Sequence, residues 1–135
     1  MASGFTWAMC TPPEIISGRS LVSDRLFAKL VEHHMRAHNV RQPRAETVID
    51  QTLAFLCTLA TTRGGEPLEP GPVVYAGWHT FLVHTTDYAE FCRAFAGRFL
   101  HHKPWCLPQS GEAALRRTSR AMAAAGFVIN PGLWP

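Results

Sequence analysis

Apolar residues recur at helical spacing in five blocks of this chain, with proline or glycine between most of them. That rhythm confines the fold more than any other feature. Residues at i, i+3, i+4 and i+7 share one helix face, and an apolar face must be buried against something. Short connections make successive helices antiparallel neighbours. The expected fold class is all-α: a small single-domain bundle of about five helices with an irregular apolar C-terminal tail.

The first helix is expected to begin at Ser20 or Ser23, where serine and Asp24 supply N-terminal caps. Leu26, Phe27, Leu30, Val31 and His34 form its stripe, which ends near Asn39. Pro43 suits the first turn of the second helix. Val48, Thr52, Phe55, Leu56 and Leu59 mark its buried side, and Gly64-Gly65 stops it. The prolines of EPLEPGP make residues 66–72 a loop. Residues 73–84 read as a helix through Trp78, Phe81 and Leu82, or as one with an extended start at Val73-Val74-Tyr75. Thr85, Thr86 or Asp87 caps the fourth helix, and Asp87 with Glu90 has capping-box spacing. Tyr88, Phe91, Cys92, Phe95 and Phe99 point inward from it. Ser110 opens the last helix, which turns Leu115, Met122 and Ala125 inward and closes at Gly126. Residues 1–19 are expected to be an N-terminal arm and 20–126 the helical domain. Residues 127–135 form a strap across it, because a free apolar tail would be costly.

The 135 residues suffice for one cored domain without staples, and 17% charged residues is a globular balance. The net charge of +3 is spread out. Arg116, Arg117 and Arg120 form the one basic cluster, which suits a solvated helix face better than a nucleic-acid patch. No apolar run reaches the roughly 20 residues of a membrane helix, and the N-terminus makes a poor secretory leader. Cys10, Cys57, Cys92 and Cys106 contain no CxxC pair, so free thiols in the cytoplasm are expected. The preference for Arg over Lys, with much Ala, Gly and Pro, suits a bacterial GC-rich genome.

Chemistry concentrates between Trp78 and Pro104. His79, His84, Cys92, His101 and His102 lie there among six of the fourteen aromatic residues. Imidazole and thiolate suit zinc or iron. His79, Cys92, His101 and His102 are the candidate metal ligands, with at most one of the adjacent histidines turned inward. Tyr88 and His84 are the candidate catalytic groups, for proton transfer or for hydrogen bonding a ligand. A plain structural reading stands beside this one: His79 in the core, His101 and His102 at a helix end, Cys92 and Tyr88 as packing. His34 and His38 share a helix face but lack the glutamate of H-E-x-x-H, so they read as a partly exposed face. No GxSxG, P-loop or GxGxxG occurs.

The pattern Trp78-His79, Phe81, Thr85, Tyr88, Phe91-Cys92 and Gly97-Arg98-Phe99-Leu100-His101-His102-Lys103-Pro104 resembles the bacterial members of the glycine-rich domain-containing protein-like family, a domain of unknown function. The resemblance implies a small helical domain with little assigned biochemistry. This chain has no glycine-rich segment. It also lacks the acidic residue that relatives carry before Trp78-His79, which would remove a second hydrogen-bond support from the histidine.

Two functions compete at this level. One is a cytoplasmic histidine-rich protein that binds a metal or a small-molecule ligand, a small-molecule tailoring enzyme among its forms. The other is a non-catalytic interaction or accessory module, docking on a protein partner or as a homodimer through its apolar tail. Neither reading takes nucleic acid or membrane as a partner.

Overall fold

A computed structural model describes residues 15–101 and 111–135. After a 3-10 turn at Gly18–Leu21, the described chain forms α1 (Asp24–His38), α2 (Gln42–Thr61), α3 (Pro72–Leu82), α4 (Thr85–Ala96) and α5 (Glu112–Ala124). The all-α expectation holds for the described residues, which contain one isolated bridge, Ile16 to Phe127, and no sheet. No helix among them is long and apolar enough to cross a membrane.

Local chemistry sets most boundaries. Ser23 caps α1, its hydroxyl accepting from the Leu26 N–H at 3.1 Å, and Asn39 ends it in the left-handed region at φ 51°. Asparagine tolerates that conformation better than most residues. Pro43 lies in the first turn of α2, where its missing N–H costs nothing. Pro72 does the same for α3, so residues 73–75 are helical and not extended. His84, not Asp87, occupies the N-cap of α4, and no side chain caps it. Asp87 instead reaches across to Lys29 on α1 at 2.7 Å, which replaces the expected capping box with Glu90.

Helix α2 is the axis of the bundle. It packs against α1, α3, α4, α5 and the 3-10 turn. Val48, Ile49, Thr52, Leu53, Phe55 and Leu56 are all buried, so the helix is covered on more than one face. Such a helix is apolar nearly all round, as LAFLCTLA is. Each fully buried Leu, Ile or Phe side chain contributes about 1.5–3 kcal/mol. Gly77 lets α3 approach closely: a Cβ there would stand 2.1 Å from Thr52 Oγ1.

The C-terminal residues lie on this body. Gln51 on α2 donates to the Val128 carbonyl at 2.9 Å, and its Oε1 accepts from Asn130 N and Trp134 Nε1. The Trp134 ring stacks on Phe55. Met122 is buried on α5, but Thr118 rather than Ala125 shares that side; Ala125 is exposed.

Candidate functional site

Helix α4 ends at Gly97, whose φ of 68° is available to glycine at little cost. The chain leaves it as the short segment 98–101, which belongs to no helix. One residue anchors the segment. Leu100 is 2% exposed, and side chains hold both of its backbone polar groups. Its N–H donates to Cys92 Sγ at 3.4 Å, and its carbonyl accepts from the Tyr88 hydroxyl. That hydroxyl in turn accepts from Trp78 Nε1 at 2.8 Å. Trp78, Tyr88 and Cys92 therefore form a clamp from α3 and α4 around the backbone of one residue. The Tyr88 ring is fully buried, meeting Phe81 and Phe99 edge-on. Burial, the largest influence, pushes its ionisation well above the usual phenol range, so it remains a hydrogen-bond donor.

The clamped segment is one wall of a cleft of about 340 Å³. Arg98, Phe99, Leu100 and His101 line that wall; Tyr75 and Trp78 on α3 also line the cleft. The proline-rich loop 67–70 lines it as well. Helix α5 pins that loop. The Thr118 side-chain oxygen accepts from Glu69 N at 2.9 Å and donates to Glu69 O at 2.8 Å. Arg117 bonds the Pro67 carbonyl and pairs with Glu66 at 2.6 Å. At least one arginine of the basic cluster thus builds the cleft and is not simply a solvated charge. Arg98 has no carboxylate within ion-pair distance among the described residues.

A second group of polar side chains joins α1 to α3 and α4. His33 Nδ1 and His84 Nε2 lie 2.8 Å apart. His34 Nδ1 lies 2.9 Å from Thr80 Oγ1, and the His34 ring sits 4.4 Å from that of His38. His34 is 3% exposed, which corrects the expectation of a partly exposed face. Burial above all, then His38, His33 and Arg44, pushes its pKa down to about 4. Burial, His33 and Lys29 also lower that of His84.

The expected site residues are divided among these features. Tyr88 and Cys92 belong to the clamp, buried and engaged. His101 is exposed and lines the cleft, its ring against Phe99. His79 is exposed on α3 and is not part of the cleft lining. His84 pairs with His33, on another element from the cleft. His102 lies outside the described residues, as do Cys106 and Ser110. Among the described residues no group of three His, Cys, Asp or Glu side chains could hold a metal ion. Arg98, Glu69 and His33 were not singled out from sequence. Arg98 stood inside the motif beside Gly97, which was its only signal. His33 carried none, because its partner is 51 residues away.

A family model, UCP032817-like, matches residues 16–128 of the 135. The chain belongs to that family, an uncharacterised domain. No curated protein and no solved structure matches it.

Proposed function

For this member of an uncharacterised family, we propose a binding function: the cleft between residues 67–70 and 98–101 takes a small organic anion with a flat apolar body. The observation that carries the reading is Arg98, a cation without an ion-pair partner among the described residues, beside the aromatic side chains of Tyr75, Trp78 and Phe99 in one concave site. Guanidinium binds carboxylate through paired N–H donors, and aromatic walls accept a flat apolar body. His101 adds a second donor at the same wall. The cleft volume falls within the range of small-molecule sites. Tyr88 acts here as scaffold, since its hydroxyl is engaged on both sides and held protonated.

The test is a panel of aryl carboxylates and their neutral amides, followed by backbone chemical shifts. The carboxylates are expected to shift Arg98, His101 and Tyr75 together and to saturate. Arg98→Ala should weaken them by about tenfold, the loss of roughly 1.4 kcal/mol from a charge-assisted contact. Equal binding of the amides, or shifts scattered elsewhere, would refute the anion reading.

The finer family likeness, to glycine-rich domain-containing proteins, is part of this proposal and rests on the Trp78-to-Pro104 pattern alone. A zinc or iron centre is supported only by the ligand chemistry of His79, His101 and His102. Elemental analysis of protein purified without a histidine tag tests it, and stoichiometric metal lost in His79→Ala is the result it requires. A cytoplasmic setting is supported by the unpaired thiols of Cys57 and Cys92.

A further inference from the structure

We propose that His33 and His84 form a proton-operated latch that governs, through α4, how firmly residues 98–101 are held against the cleft. The geometry is that of a shared proton. The two nitrogens are 2.8 Å apart and the ring centres 5.0 Å apart, close to that contact plus the two ring radii. The rings therefore face each other nose to nose, with one nitrogen donating and the other accepting. Two lone pairs converging on a metal would splay apart from this arrangement.

Such a contact holds one hydrogen. A neutral pair satisfies it, and so does a singly protonated one. A doubly protonated pair sets two N–H donors against each other and the contact must open. The surroundings oppose that second charge. Lys29 on α1 acts on His84, and His34 lies next to His33 on the same helix. Beyond His34 stand His38 and, on α2, Arg44. Among the described residues Asp87 on α4 is the one acidic group acting on His84, and it is already paired with Lys29 at 2.7 Å. Helix α3 contributes Thr80, bonded to His34. Burial works in the same direction, holding His84 neutral below its ordinary range.

Opening the pair reaches the cleft by a short path. His84 is the N-cap of α4, and its carbonyl accepts from Tyr88 N at 2.8 Å. Tyr88 carries the hydroxyl that holds Leu100. The last link, Leu100 to the 98–101 wall, is covalent. Acid therefore loosens the first turn of α4, frees the clamp and slackens the wall. The consequence for a ligand rests on the binding reading above; the latch itself does not.

The test is amide hydrogen exchange at Leu100 in the unliganded protein, corrected for the intrinsic pH dependence. Protection is expected to fall about tenfold or more between about pH 6.5 and pH 4.5, where the second proton is forced on, and this drop should shrink in His33→Asn. Flat protection in the unaltered protein, or an equal drop in His33→Asn, overturns the latch. If His33→Asn does not fold, imidazole 15N shifts of the unaltered protein decide. Two separated titration steps shared by His33 and His84 support it, and two independent ordinary titrations overturn it. Aryl-carboxylate affinity measured at both pH values separates the two ideas. A working latch with no binding at either pH would sink the ligand reading alone.

Discussion

Replacing Tyr88 by phenylalanine separates a scaffold role from a chemical one. The substitution keeps the ring, so its edge contacts with Phe81 at 5.2 Å and Phe99 at 5.3 Å survive. It removes one oxygen, and two buried groups lose their partner: Trp78 Nε1–H and the Leu100 carbonyl. Each orphaned buried polar group costs about 1–3 kcal/mol. Partial relaxation of the 98–101 segment places the sum near the lower half of that doubled range, about 3 kcal/mol. For a domain of this size that is a fall in Tm of roughly 10 °C. Urea unfolding should show a lower midpoint with an unchanged slope, because little more surface is exposed. A double-mutant cycle sharpens the assignment. In a Trp78→Phe background there is no indole N–H to orphan, so Tyr88→Phe should cost at least about 1 kcal/mol less. A stability change under about 0.5 kcal/mol, or strict additivity with Trp78→Phe, would refute the clamp. It would also return Tyr88 to the list of groups free to act on a ligand.

Two further outcomes follow from the packing and the buried imidazole. Gly77→Ala drives a methyl group into Thr52 Oγ1 and Val48 Cγ1 at the α2–α3 contact, and should cost roughly 2 kcal/mol or more by chemical denaturation. Pairing it with Thr52→Ala should recover part of the loss. His34 has a folded pKa of about 4 against 6.5 for the free group, so the unfolded chain takes up its proton first. Its contribution, about 3 kcal/mol from that difference, is complete above pH 6.5 and is lost as pH falls through 4. The stability–pH slope in that window should flatten in His34→Asn, and an unchanged slope would refute the assignment.

The helices were readable because their signals are local. Ser23 caps within three residues, Pro43 marks a first turn, and the stripe Phe27, Leu30, Val31, His34 repeats at one period. The density of chemistry between Trp78 and Pro104 was equally plain. What that density meant was not. Tyr88 and Cys92 look like reactive groups in a list of residue types, yet they secure the backbone of Leu100, twelve and eight residues on respectively. Asp87 and Glu90 have the spacing of a capping box, but an ion pair with Lys29, 58 residues away, wins Asp87. The His33–His84 contact and the Thr118 hold on Glu69 likewise cross about 50 residues of chain. No window of sequence contains both ends of such a contact.

The grip on Leu100 divides labour within one short peptide. Its two backbone groups are satisfied by tyrosine and cysteine side chains set on α4, so the path of the chain does not depend on which side chains flank it. Positions 98 and 101 are therefore at liberty to change. A lineage that retained the indole, the phenol and the thiol would be able to exchange Arg98 or His101 and so redirect what the cleft accepts, with the wall still standing where it did.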